Sequence, residues 1–325
     1  MALAERPFFI VGNPRSGTTL MRFMLSSHPR IYIPEETGFL VKLSPLAGRR
    51  LSRAEVKKTV ERIGRMNVEW LDVVDDHDRF YDSLPEPRLT YLLDQLYRIR
   101  TRPYNAERWG DKGPAYVAHI PALNKIFPDA QFIHMVRDGR DSTVSALQRW
   151  KASMRYLDTY YVMKNWVRNV SAGLAAEEWL GNDRYLEIRY ERLVSEPEST
   201  LHQICEFLGE KFDPAMLNHP RFAQECKNVA GHYEVYAPTT TKSVSRWQND
   251  MPEFEQKVSW RVAGEVLEKL GYEKPESRPF SMSEKCRYAW LAVRFRILDS
   301  LRKMLYATGY LNAAWRKSLS RNANK

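Results

Sequence analysis

The sequence predicts an α/β fold: a central parallel sheet flanked by helices within residues 1–275, followed by a basic helical C-terminal tail at residues 276–325. Three observations carry this. The apolar run FFIVG at 8–12 has the composition of a parallel strand covered on both faces. A turn at 13–17 hands the chain to a helical pattern at 18–27, in which Leu20, Met21, Phe23, Met24 and Leu25 are apolar. The arrangement returns where QFIHMV at 131–136 leads into a helical segment at 141–150, and such alternation builds an α/β sheet.

The remaining elements follow in order. Pro29 ends the first helix, and residues 31–33 make a second strand. Residues 49–102 read as helical and charged. Within them Asp72, Asp75, Asp76 and Asp78 lack the Gly and Glu spacing of a calcium loop, and read as a solvated loop. Residues 185–190 form another strand, and helices at 199–208 and 260–270 end at Gly209 and Gly271. Pro275 and Pro279 bracket a linker, and the tail from Ser281 is helical. No internal repeat or low-complexity tract interrupts the chain.

A chain of 325 residues with 43% apolar content suits one large α/β domain with additions. Its formal net charge is +10, and most of that excess is local: from Ser281 onward ten Lys/Arg face two acids, Glu284 and Asp299. The body is therefore close to neutral, which excludes it as a nucleic-acid binder on charge grounds. Three cysteines, Cys205, Cys226 and Cys286, form no CxxC pair. This argues against a disulfide framework or a structural zinc site and for a reducing compartment. Residues 1–7 are too short for a signal peptide before the first strand, and no apolar run is long enough to span a bilayer. The expected location is cytoplasmic, with peripheral contact at the inner face of a membrane through the tail as an open alternative.

Gly12-Asn13-Pro14-Arg15-Ser16-Gly17-Thr18-Thr19 lies between a strand and a helix. Glycine opens backbone angles closed to other residues, and successive N–H groups then surround an anion. The helix N-terminus adds partial positive charge. Ser16, Thr18 and Thr19 offer hydroxyls, and Arg15 a fork of donors. The pattern is P-loop-like and suits phosphate or sulfate. It lacks the Gly-Lys-Ser/Thr ending of a Walker A loop, which argues against an NTPase or nucleotide kinase.

Val136-Arg137-Asp138-Gly139-Arg140-Asp141 ends a strand and opens a helix, with Ser145 and Arg149 on one face of that helix. Arg137 stands at a strand's carboxyl end, where open α/β sheets bind ligands. Arg137, Ser145 and Arg149 can converge on one dianion, while Arg140 can pair with Asp138 or Asp141.

Together these motifs resemble the sulfotransferase superfamily that uses 3′-phosphoadenosine-5′-phosphosulfate (PAPS). The likeness is nearest to tyrosylprotein sulfotransferases and their bacterial relatives. It rests on Pro14-Arg15-Ser16-Gly17-Thr18-Thr19-Leu20-Met21-Arg22, His28-Pro29, Glu35-Glu36-Thr37, Asp111-Lys112-Gly113-Pro114, Met135-Val136-Arg137-Asp138-Gly139-Arg140, Tyr190-Glu191-Arg192-Leu193 and Ser245-Arg246-Trp247, in that order. The resemblance implies that Arg15, Ser16, Gly17, Thr18 and Thr19 hold the 5′-phosphosulfate and that Arg137, Ser145 and Arg149 hold the 3′-phosphate. It further implies Tyr190 near the nucleotide, Arg246 on the cofactor phosphates in place of the family's usual lysine, Lys112 on the sulfuryl or bridging oxygens, and Glu36 as general base. PAPS is the expected donor, with no metal, since Arg15 and Lys112 supply charge.

The acceptor is expected to be a hydroxyl, with carbohydrate, glycolipid or small metabolite favoured over peptide tyrosine. The reasons are Gly38, which stands where the peptide-tyrosine enzymes carry arginine, and the missing N-terminal anchor. Glu35 is the alternative base, and a histidine ranks behind both. The rival classes are a non-catalytic PAPS or nucleotide binder and a P-loop phosphotransferase. In the tail, Trp290, Val293, Ile297, Leu301 and Met304 recur at helical spacing. Two readings stay open for it, a helix packed on the domain or a helix lying on an anionic membrane.

Overall fold

The computed structural model describes residues 3, 5–221 and 236–307. Five strands, β1 (Phe8–Gly12), β2 (Ile31–Tyr32), β3 (Arg108–Lys112), β4 (Gln131–Val136) and β5 (Tyr185–Arg189), form one sheet in the order β2-β3-β1-β4-β5. Every neighbouring pair is parallel. The carboxyl ends of all strands therefore lie along one edge. The chain leaves β1 toward β2 and β3 on one side, then crosses to β4 and β5 on the other. Ligands bind at such a reversal of strand order, outside the strands' carboxyl ends.

The helices that matter here are α1 (Thr18–Ser26), α2 (Leu40–Leu43), α3 (Arg53–Met66), α4 (His77–Asp82), α5 (Leu89–Thr101), α6 (Ile120–Ile126), α7 (Gly139–Trp150), α8 (Thr159–Leu180), α9 (Tyr190–Ser195) and α10 (Pro197–Leu208). After the undescribed segment come α11 (Trp247–Asp250), α12 (Glu253–Lys269) and α13 (Met282–Ala307).

β1 shows why the sheet needs cover on both faces. Side chains alternate along a strand. Phe9 and Val11 enter a core shared with Leu92, Leu96 and Trp109, while Phe8 and Ile10 enter one shared with Met21, Leu25 and Leu201. The helical stretch expected at 49–102 is three helices, α3, α4 and α5, with short turns between. Ser52 and Glu55 close a capping box at the start of α3. Asp76 caps α4, and Asp78 and Asp82 pair with Arg53, so these acids serve local structure. Among the described residues no group of His, Cys, Asp or Glu could hold a metal ion.

Residues 272–281 have no regular secondary structure, and α13 then packs back on the domain. Tyr288, Leu291 and Phe295 meet Tyr160, Phe254 and Val258, and Asp299 pairs with Arg168. The tail beyond Ala307 and Cys226 lie outside the described residues. Cys205 is buried and Cys286 exposed, both as free thiols.

Candidate active site

The turn after β1 is built to close tightly. Gly12 pairs with Met135 on β4, and a Cβ on Gly12 would stand 2.5 Å from the Met135 carbonyl oxygen. Gly17 caps α1 in the left-handed region at φ 93°, and a Cβ there would run into the ring of Tyr190. Arg15 is also left-handed, at φ 72°, a conformation that costs a non-glycine residue energy. It is held there from both sides: its Nε donates to Ser145 Oγ at 2.9 Å, and its carbonyl accepts from Arg137 Nη1 at 3.2 Å. The Ser16 amide bonds back to the Asn13 carbonyl at 3.1 Å. The first amides of α1 have no acceptors within the helix, and Thr18, Thr19 and Leu20 line the adjoining cavity.

Arg137 closes a second corner. Its guanidinium lies 4.3 Å over the ring of Tyr190, and Nη2 donates to the Ser243 carbonyl at 2.7 Å. Tyr190 and Ser243 share a hydroxyl–hydroxyl bond of 2.6 Å. Asp138 caps α7 and takes Arg140, whose guanidinium stacks 3.6 Å over Trp247. Asp141 accepts the amides of Ser245 and Trp247 at 2.8 and 2.9 Å, which fixes the segment carrying Arg246 against α7. Burial raises the Asp141 carboxyl to about 6.

The third corner is an ion pair. Lys112, at the end of β3, donates from Nζ to Glu36 Oε1 at 2.6 Å and reaches Thr19 Oγ1 at 3.4 Å. The lysine is buried and Glu36 is exposed. Burial lowers the proton affinity of Lys112, and Glu36 partly restores it. The residues next to this pair are locked together. Asp111, wholly buried, accepts from Thr37 Oγ1 at 2.6 Å, Tyr97 Oη at 2.8 Å and the Lys112 amide at 2.7 Å. Desolvation pushes its carboxyl up to about 6.

These corners surround a cavity of about 490 Å³. Arg15, Gly17, Thr18, Thr19, Glu36, Arg137, Tyr190 and Arg246 line it, together with Trp150 and the segment 238–243. Ser16, Lys112 and Ser145 stand behind this wall; Ser145 touches it through Arg15, and Lys112 through Glu36 and Thr19. Arg149 is exposed on α7 and is not part of the wall. Glu35 is half-buried and outside it too, and burial raises its carboxyl against the pull of Arg22. Among the described residues no histidine lines the cavity. His28 instead packs at the end of α1, bonded to the Lys211 carbonyl and the Arg30 amide. Ser16 Oγ and Arg137 Nε are buried with no hydrogen-bond partner among the described residues. Unpaired buried donors are costly, and a group rich in acceptor oxygens would relieve both.

The profile of the Sulfotransferase family matches residues 7–214, which include β1 to β5 and the anion turn. The chain belongs to that family. Among the sulfotransferases it resembles are protein-tyrosine sulfotransferase 1 of Danio rerio, 29% identical over 83% of this chain and 73% of that one, and protein-tyrosine sulfotransferase 2 of Gallus gallus, 27% identical over 83% and 70%. The sulfotransferase domain of the Synechococcus PCC 7002 olefin synthase shares the fold, with a TM-score of 0.58 at 23% identity over 83% of this chain and 96% of the domain. That of the curacin biosynthetic pathway does so with a TM-score of 0.59 at 20% identity over 85% and 100%. The chain is thus a sulfotransferase of mixed α/β fold.

Sequence reasoning missed three parts of this sulfotransferase site. Asp111 was part of a quoted motif, but its partners come from α5, the Thr37 loop and the turn holding Tyr116. Asp141 stood as a partner for Arg140, whereas it binds backbone amides more than 100 residues away. The segment 238–243 carries no motif at all.

Proposed function

We propose that this sulfotransferase uses PAPS as donor and transfers its sulfuryl group to the phenol of a peptide tyrosine. The observation that carries the catalytic reading is the Glu36–Lys112 pair, 2.6 Å apart beside the turn of glycines, hydroxyls and Arg15. PAPS supplies an activated sulfuryl group and two anionic ends. In this reading Arg15, Ser16, Gly17, Thr18 and Thr19 hold the 5′ end, and Arg137, Ser145 and Arg149 the 3′-phosphate. Arg149 has to swing in from solvent to join them. Tyr190 flanks the nucleotide, and Arg246 adds a cation to its phosphates.

Glu36 takes the acceptor proton as the new bond forms. Lys112, already desolvated, places its ammonium where charge collects on the departing oxygen. Its contact with Thr19 ties that ammonium to the anion turn. Positioning and fixed charge supply what the transfer needs.

Peptide tyrosine is favoured over carbohydrate, glycolipid or metabolite because the relatives of this chain include protein-tyrosine sulfotransferases from several animals. Gly38 does not count heavily against it. Gly38 is exposed and is not among the residues that line the cavity. Labelled PAPS offered with a tyrosine peptide, a glycan and a small alcohol tests the reading. Label is expected in the peptide; transfer to the glycan or alcohol alone would overturn the acceptor assignment.

A further inference from the structure

The C-terminal helix has two apolar faces, and the domain uses only one. On the inner face of α13, Tyr288, Leu291 and Phe295 join the core with Tyr160 and Phe254. On the opposite face Trp290, Val293, Ile297, Leu301 and Met304 follow one another three or four residues apart, each 47% exposed or more. They form one continuous stripe.

Charge frames this stripe. Lys285, Arg296 and Lys303 run along one margin and Arg287 and Arg294 along the other. Both acids of the helix are held in ion pairs: Glu284 bonds Lys257, and Asp299 pairs with Arg168, Arg302 and the margin cation Lys303. Arg287 and Arg294 also reach Glu255 and Asp158 on the domain, while Lys285 and Arg296 are exposed. On the Arg294 side lies the loop 151–156, bonded through Arg294 and the Tyr156 carbonyl. It exposes Lys151, Met154, Arg155 and Tyr156 and starts beside Trp150 of the cavity wall. In sequence, residues 308–325 add four cations and no acid.

We infer that the outer face of α13, with the loop 151–156, docks on an anionic lipid bilayer. An apolar stripe edged by cations is the surface such a membrane accepts: the stripe enters the acyl boundary and the cations meet the headgroups. Among the described residues no helix is long and apolar enough to cross a membrane, so α13 lies along the surface. A second copy of the chain fits less well. Two-fold pairing of the stripe would set its margins against each other, with the exposed cations Lys285 and Arg296 brought toward like charge.

The full chain is sedimented with vesicles of phosphatidylcholine alone and of equal parts phosphatidylcholine and phosphatidylglycerol. Binding is expected only to the anionic vesicles, falling as salt rises. The combined variant Trp290→Ser, Ile297→Ser and Leu301→Ser should bind at least about tenfold more weakly, while its transfer to a soluble acceptor is unchanged. The pair Lys285→Glu and Arg296→Glu, which leaves the stripe intact, should weaken binding in the same direction. Failure of the wild-type chain to sediment with anionic vesicles would overturn the inference. So would undiminished binding by both variants. A dimer in velocity sedimentation that the serine variant abolishes, with no vesicle binding, would assign the stripe to a second copy instead. The vesicle-binding and sedimentation readouts do not depend on the identity of the acceptor.

Discussion

The anion turn and the Glu36–Lys112 pair meet at one cavity but are built by different means. The turn works through its backbone: two glycines, a strained arginine and the open end of α1 lie within eight consecutive residues. The pair works through side chains on two separate segments. Thr37 next to Glu36 and the carboxylate next to Lys112 are tied by a buried hydrogen-bond cluster. A contiguous backbone device is fixed by local residue choice. A pair carried on two segments is only as well placed as the cluster that joins them.

That contrast can be broken experimentally. The largest effect is expected from Lys112→Met, which removes the buried ammonium but keeps the volume of its stem. Loss of one preorganised donor slows turnover by roughly 100- to 1000-fold, with cofactor affinity changed far less. Steady-state transfer and calorimetry on the same preparation check this. A loss confined to affinity would move Lys112 from chemistry to binding.

Asp111→Asn comes next. The amide cannot accept from Thr37, Tyr97 and the Lys112 N–H together, and a buried group left unpaired costs about 1–3 kcal/mol of stability. Turnover should fall with it, because Glu36 and Lys112 lose their common anchor, while the anion turn keeps its grip on the cofactor. Stability against pH sharpens the test. Asp111 titrates at about 6 in the fold against 3.8 for an ordinary Asp, so the folded state holds the proton more tightly. Its stabilising contribution is complete below 3.8 and is lost as pH rises through about 6. Denaturant unfolding across that window should show a shallower loss in Asp111→Asn, with a residual slope shared by Asp141 and the other carboxyls that burial raises, Glu191, Asp158 and Glu35. An unchanged slope would show that Asp111 does not titrate there.

The remaining effects concern the corner proposed for the 3′-phosphate and fall on binding rather than turnover. Arg137→Ala should weaken PAPS binding by about 1.5–3 kcal/mol, the scale of a charged hydrogen bond, and reduce the preference for a cofactor bearing the 3′-phosphate. Arg149→Ala should act in the same direction but less, since Arg149 starts exposed and must be ordered on binding. Titration with cofactors with and without the 3′-phosphate separates the two; equal losses would mean that Arg149 is already engaged.

The same division governs what could be read from sequence. β1, β4 and the anion turn were legible because apolar runs and turn residues lie side by side. β3 was not: RWGDK looks like a surface segment, yet Arg108 bonds the Leu208 carbonyl and Gln131, and Asp111 and Lys112 are satisfied internally. α8 was missed because no single motif marks it, although Trp166, Val170 and Leu180 on its inner face are buried. Helical spacing put Ser145 and Arg149 on one face of α7, but neither the bond from Arg15 to Ser145 nor the exposure of Arg149 could be read from it. α13 shows the limit in another form. Its apolar positions were evident, but only packing separates the residues that serve the domain from those left outside.

The central claim is that Glu36 removes the acceptor proton beside a PAPS site made by the anion turn and Arg137. Single-turnover transfer from labelled PAPS to a tyrosine peptide, compared between the wild-type chain and Glu36→Gln, tests it most directly when PAPS affinity is measured alongside. The account predicts unchanged affinity and a rate lower by roughly 100-fold or more. A near-normal rate in Glu36→Gln, or a loss explained wholly by weaker PAPS binding, would contradict it.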